Sequence, residues 1–505
     1  MNLPFKNSIL SWVIKKRIHQ IDLFRRHPVQ MQDEVFRSLV EKGRYSQFGE
    51  EHGFKSIYNY LDFCKNIPIR TYEELYPYIE KIRIGEKDVL WPGEVKWFAK
   101  SSGTTNNKSK YIPISIDSLE DCHFKGGKDM LSLYCNSFPN TNVYNGKGLM
   151  LGGSQEKDSL HSFTDGDLSA ILINNFPFWV NMHRVPDLKT ALLKDWETKL
   201  ELICNQALEE DVTNITGVPS WVLVLMNKML EKSGSNNILE IWPNLELYMH
   251  GGVNFSPYKS QFEKLIPTDN MNYLEAYNAS EGFFAIQDQK DKKDLLLMLD
   301  YGIFYEFIPI SNYNNGERIA IPLSEVKIDE VYVIVISTNA GLWRYIVGDT
   351  IRFTSLSPYR IKIVGRTKSF LNAVGEELVI ENAELGIDLC CKKYNCSVSD
   401  FIATAIFIEK GVAYHKWIIE FNIPPISILN FQTDLDEILR GLNSDYDAKR
   451  TGSFVLLPLE VYVAKKYLFY NWLKNSDRLG GQYKVPRLDD SSSIFNEILL
   501  MDTTY

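Results

Sequence analysis

The chain has 505 residues, 45% of them hydrophobic and 13% aromatic, with a formal net charge of −9. This length and apolar share exclude a disordered protein and leave room for two or three domains. The acidic balance, without any basic run, excludes a nucleic-acid-binding surface.

At the N-terminus, Ile9 to Ile14 is an apolar stretch too short for a membrane span, and no small-residue cleavage site follows it. Ile18, Ile21 and Phe24 continue it as an amphipathic helix. The first ~90 residues read as helices, punctuated by Pro68 and Pro77. WFAK then reads as a short strand running into SSGTTNNKSKYIP (101–113). From 115 to 290, helical and strand-like segments alternate, the pattern of α/β layers. Residues 295–365 are short β-rich runs, expected as a barrel-like subdomain. After GRTKS (365–369), a helix at 376–391, strands at 401–409 and 416–421, a helix near 433–442, a strand near 459–463 and a helix at 467–474 predict a small α+β domain. Seven cysteines without a CxxC pair indicate no disulfide framework and a reducing cytoplasm. Eight histidines without HExxH or an i,i+4 pair argue against a protein-ligated transition metal.

Three segments carry chemistry. In SSGTTNNKSKYIP, hydroxyls, a glycine and two lysines are the parts of a phosphate-cradling loop, or of a solvated turn. A P-loop is ruled out, because Asn107 stands before Lys108 and Ser102 stands where the earlier glycine belongs. In YNASEG (277–282), Tyr277 could stack on a purine and Glu281 could hold Mg2+ through hard oxygens, the plainer reading being structural. GLWRYIVGDTIRF (341–353) reads as a hairpin turning at Gly348-Asp349. There Asp349 could accept from a ribose diol and Arg344 and Arg352 could meet phosphate or carboxylate, or the pair could be turn chemistry alone.

Taken in order, these segments resemble the adenylate-forming enzymes, and more specifically the auxin-responsive (Gretchen Hagen) family of acyl acid amido synthetases. GVPSW (217–221), MHGGVNFSPY (249–258), VGRTKSFLNAVGEEL (364–378) and GQYKVPR (481–487) share the family's look, so the resemblance runs from about residue 30 to 487. It implies an α/β adenylate-forming fold: a large adenylation domain at 1–366 and a small mobile α+β domain at 367–505, hinged at 365–369. It also implies activation of a carboxylic acid with ATP and Mg2+, then transfer of the acyl group to an amine, usually of an amino acid.

By match to the family, Ser101, Ser102, Gly103, Thr104, Thr105 and Lys110 would hold the phosphates. Tyr277, Asn278 and Ala279 would border the adenine, with Gly251 and Gly252 forming a wall of the same pocket. Ser280 and Glu281 would serve the α-phosphate and the metal, Asp349 the ribose, and Arg366 ribose or phosphate. Lys484 would bridge the acyl carboxylate and the α-phosphate. Ser169, Val218, Trp221 and His250 are the implied borders of the acid pocket, although a core aromatic is the more common reading for a tryptophan such as Trp221. Asn106-Asn107 departs from the family, which usually has a glycine there; asparagine tolerates left-handed backbone, so the turn can survive. The expected partners are the acid and the amine, without nucleic acid or membrane, in a cytoplasmic monomer or weak dimer. An acyl-CoA ligase, or a nucleotide-binding relative without catalysis, remains open.

Overall fold

The computed structural model describes residues 6–504 apart from 102–109, 158–162, 253–254, 291, 368–369, 372, 374–375, 377, 409–411, 451–455, 477–478 and 480–483. Its contacts divide the chain into two compact units. The first comprises 1–253, 265–347 and 351–363; the second comprises 254–264, 348–350 and 364–505.

The amphipathic N-terminus forms helix α1 (Lys6–Arg26), which buries Ile21 and Phe24. The phosphate-loop candidate springs from an antiparallel pair, β1 (Trp97–Ser101) and β2 (Lys110–Ile114), with Ser101 opposite Lys110. Beyond it lies a βα layer with strand β3 (Lys147–Met150), helices α2 (Leu168–Asn174) and α3 (Trp196–Leu208), strand β4 (Val212–Thr216), helix α4 (Pro219–Ser233) and strand β5 (Leu247–Gly251). Pro219 opens α4 at a position whose N–H has no helical partner, and Gly234 closes it in the left-handed conformation. Helix α5 (Ser256–Leu265) interrupts this layer before strands β6 (Asn272–Ala279) and β7 (Gly282–Ile286).

Strands β3, β4, β5 and β6 are mutually parallel neighbours, in that order. Such strands are buried on both faces, and β4 shows it with four successive buried residues. The sheet continues beyond β6 through β7, Leu295–Leu297, β9 (Tyr359–Arg366), β8 (Tyr345–Leu356), Val331–Thr338 and Ile303–Pro309. Among the described residues, the β-rich segment 295–365 is thus one end of a twelve-stranded sheet. Gly348-Asp349 is not a hairpin turn. It lies inside β8, where Gly348 takes φ +92° and re-aims the strand.

In the second unit, helix α6 (Ile380–Tyr394) packs over the paired strands β10 (Ser397–Ile408) and β11 (Val412–Ile423). Helices Ile428–Leu442 and Leu468–Asn475 and strand Glu460–Val463 complete the α+β pattern expected from the sequence. Both long strands run several residues beyond the expected segments, because the hairpin pairing extends through positions such as Ser397 opposite Ile423 and Asp400 opposite Glu420. Helix α5 belongs with this unit: Gln261 donates to the Val398 carbonyl at 3.5 Å and accepts from Asn422 at 2.8 Å.

Candidate active site

In the first unit, four parallel strands deliver their following loops to one sheet edge. These are Leu151–Ser154 after β3, Gly217-Val218 after β4, Gly252 after β5 and Ser280-Glu281 after β6. The carboxyl edge of a parallel sheet is where such folds bind ligands. Neighbouring loops are stitched together: the Leu151 N–H donates to the Thr216 carbonyl at 3.0 Å, and the Gly217 N–H to the Met249 carbonyl at 3.2 Å. The Tyr248 hydroxyl caps the Gly217 carbonyl at 3.0 Å.

Gly282 pairs with Ala279, so Ser280 and Glu281 form the two-residue link of the β6–β7 hairpin. Tyr277 is buried edge-on against Phe284 at 4.8 Å, Asn278 is exposed, and Ser280 and Glu281 are buried. The Tyr345 hydroxyl stands 3.5 Å from Glu281 Oε1 as its donor.

Behind the hairpin lies a feature sequence reading missed, a π-helical turn over Leu119–Phe124. Wide turns of this kind rotate side chains off the α-helical face and are common at functional sites. Here Cys122 Sγ accepts the Phe283 N–H at 3.2 Å, and buried His123 bonds the Asn278 side chain. Burial pushes His123 down to about 4, only partly opposed by the Asn278 bond. It is therefore neutral near pH 7.

The implied acid-pocket residues separate into different roles. His250 is buried at the end of β5, and burial holds it neutral with a pKa of about 3. Val218 is the half-buried cap residue of α4. Trp221 is core-packed, edge-on against Trp196 at 4.7 Å. Ser169 accepts the Gly153 N–H at 2.9 Å, so its hydroxyl holds a loop. At Gly251, a Cβ would lie 2.4 Å from the Ala276 carbonyl oxygen, so glycine is required there by the adjoining strand. Gly252 takes φ +81°. The candidate phosphate residues Ser102, Gly103, Thr104 and Thr105 fall outside the described residues, as do Asn106 and Asn107. Lys110 lies at the loop base, its ammonium 5.6 Å over the Tyr72 ring.

The second unit gathers a separate group. Arg366 Nε is 3.0 Å from Asp349 Oδ1, and the Thr367 N–H donates to the Gly348 carbonyl at 2.9 Å. Lys484 reaches solvent at its surface, yet the protein packed about its ammonium lowers its pKa to about 8. The Arg366 and Arg487 guanidiniums lower it too, and Asp349 opposes them.

Arg487, three residues on, is buried and fully engaged. It bonds Asp400, donates to the Phe401 carbonyl at 3.3 Å and to the Tyr258 hydroxyl at 3.0 Å, and stacks 4.6 Å over the Phe401 ring. Glu384 lies 3.6 Å from its Nε. The arginine of GQYKVPR was in plain view, but nothing local revealed its partners. Arg344, expected to be available to a ligand, is instead buried against Glu306 at 2.8 Å.

The architecture is that of the adenylate-forming ligases. Over 94% of this chain and 92% of the other, it matches 2-hydroxyisobutyryl-CoA ligase in its postadenylation state with TM-score 0.58 at 11% identity. A solved acyl acid amido synthetase in complex with 2,4-DB, AtGH3.15, matches with TM-score 0.79 at 17% identity, covering 99% of this chain and 97% of that one. The chain belongs to the GH3 family, whose N-terminal, central and C-terminal domain models match residues 17–271, 296–366 and 381–493. Among its relatives is a jasmonoyl–L-amino acid synthetase of Nicotiana attenuata, 24% identical over 93% of this chain and 92% of the relative. Another is an indole-3-acetic acid-amido synthetase of Arabidopsis thaliana, 21% identical over 94% and 91%.

Proposed function

We propose that the chain is an ATP-dependent acyl acid amido synthetase. It adenylates a carboxylic acid, releasing pyrophosphate, and then transfers the acyl group to an amine, probe amino acids being the first acceptors to try. The observation that carries this reading is the ordered match of all three family domains along one chain that also keeps Glu281, Asp349 and Lys484.

In the first half-reaction, a carboxylate oxygen attacks the α-phosphorus, the acyl–phosphate bond forms, and the bond to pyrophosphate breaks. The task is one of positioning and of stabilising spread negative charge. Lys484 supplies a cation to the attacking carboxylate and the α-phosphate. Ser280 donates to the α-phosphate, Asp349 receives the ribose hydroxyls, and Arg366 meets ribose or phosphate. Tyr277, Asn278 and Ala279, together with Gly251 and Gly252, border the base. Ser101 to Thr105 and Lys110 hold the leaving phosphates. In the second half-reaction, the amine attacks the acyl carbon, AMP leaves, and the amine's surplus proton is released.

Magnesium, when bound, neutralises the phosphates. The residues fit it as a phosphate-held ion. Glu281 offers a hard carboxylate, and among the described residues no group of three His, Cys, Asp or Glu forms an all-protein cage.

In this reading the adenylation domain is 1–366 and the small domain 367–505, hinged at 365–369. Seven unpaired thiols support a reducing cytoplasm. Among the described residues, no helix is long and apolar enough to cross a membrane.

An ATP–pyrophosphate exchange assay across a panel of carboxylic acids tests the reading. Acid-dependent exchange is expected, and its absence with every acid despite ATP binding would favour a non-catalytic relative. Product analysis with amino acids against CoA then separates amide from thioester formation.

A further inference from the structure

The loop after β3 is held in an unusual way. Gly152 and Gly153 turn their carbonyl oxygens toward one point, and Lys199 of helix α3 fills it, donating to both at 2.7 Å. Lys199 is only 2% exposed. The loop's amides are taken up from the opposite side: Gly153 N–H donates to Ser169 Oγ at 2.9 Å and Ser154 N–H to Asp167 Oδ2 at 2.8 Å. The Asp167 N–H returns a bond to the Ser154 carbonyl at 2.9 Å.

Sterics agree with the hydrogen bonds. A Cβ at Gly153 would lie 1.8 Å from Asp167 Oδ2, and one at Gly152 would lie 2.7 Å from Ile173 Cδ1. The glycines let the backbone lie directly on the start of α2.

A buried ammonium is costly, and an apolar side chain of similar volume would avoid that cost. Two carbonyls converging on one spot explain the choice, since lysine brings three donors and no acceptor. Helix α3 also carries Trp196, which packs on Trp221 of α4. One helix face thereby braces both the β3 loop and the helix that begins at Val218-Pro219.

We propose that Lys199 is a positioning residue for recognition of the acid: it fixes the Gly152–Ser154 backbone as a rigid wall at the sheet edge beside Gly217-Val218. This rests on the adenylation reading above. Because Gly153 and Ser154 donate their amides, and Gly152 and Gly153 give their carbonyls, to the protein itself, the wall selects by shape. The acid's apolar body meets it, and its carboxylate is recognised elsewhere.

The test is steady-state pyrophosphate exchange with Lys199→Met and Lys199→Gln over a panel of aliphatic and aromatic acids. Lys199→Met is expected to raise the KM for the acid about tenfold or more, the size of one lost buried hydrogen bond. The KM for ATP should stay within about twofold, since the nucleotide contacts are untouched. Lys199→Gln, which keeps two N–H donors, should recover part of the loss. It carries the same test if Lys199→Met does not fold.

An unchanged acid KM, or acid and ATP KM values rising together, overturns the inference while leaving the adenylation reading standing. A wild type that exchanges with no acid defeats that reading instead. The wall is then read by amide hydrogen exchange over residues 150–155. Faster exchange there in the variant, with wild-type rates over 277–286, supports the brace; identical rates overturn it.

Discussion

Lys199 and Lys484 have the same pKa, about 8, for different reasons. Lys199 owes its shift to burial alone, and nearby Asp167 works against it. Its ammonium is consumed by two backbone carbonyls, so its job is to hold a shape. Lys484 shares the desolvation but adds repulsion from Arg366 and Arg487, and it reaches solvent. In the proposed mechanism that crowding favours the approach of an anion. The two lysines therefore differ in what surrounds the ammonium: two backbone carbonyls in one case, two guanidiniums and a carboxylate in the other.

The comparison can be broken most sharply at Lys484. Lys484→Ala should lower acid-dependent pyrophosphate exchange by about a hundredfold or more, with ATP affinity measured directly unchanged. Exchange at the wild-type rate would remove Lys484 from the mechanism.

Next in size is Arg487→Met, which leaves Asp400 and Glu384 buried without their cation. Breaking a buried pair in this way costs about 3–5 kcal/mol, readable by chemical denaturation. A loss below about 1 kcal/mol would show that Arg487 is not the anchor of the Lys484 segment.

Lys199 gives a pH signature of opposite character to an ordinary ion pair. Its folded pKa of about 8 lies below the ordinary 10.5, so between those values the unfolded chain binds the extra proton. Wild type should therefore gain stability over Lys199→Met as pH rises from 8 to 10.5, on the order of 3 kcal/mol in all. A flat difference across that window would mean the ammonium is not desolvated.

The smallest effect belongs to His123, lowered to about 4 from 6.5. Stability falls as pH drops through that window, because the unfolded state takes the proton first. His123→Gln should flatten this acid limb by one proton's slope, and an unaltered limb would place the titration elsewhere.

Much of the fold was legible in the sequence because it rests on local signals. The alternation of elements, the small α+β domain and the strand-end position of YNASEG follow from periodicity and punctuation. Gly348-Asp349 reads as a turn in the sequence because a positive-φ glycine inside a strand uses the same residue types as a hairpin. Arg344 and Arg366 are alike in sequence; only the fold buries one against Glu306 and leaves the other half-exposed beside Asp349. Lys199 carries no sequence signal, since no local pattern distinguishes a lysine facing two carbonyls from one facing water. The π-turn is equally silent in sequence: the partners of Cys122 and His123 within it, Phe283 and Asn278, stand about 160 residues away.

Helix α5 bears on how the chain is made. It lies in the middle of the sequence, yet Tyr258 meets Arg487 across 229 residues of chain. At ordinary synthesis rates of ~5–20 residues per second, the helix waits on the order of ten to forty-five seconds for that partner to leave the ribosome. During that wait Phe255, Tyr258 and Phe262, all buried in the finished protein, have no second unit to pack against. The newborn chain thus carries a temporary sticky segment, and chaperone capture during translation should concentrate there.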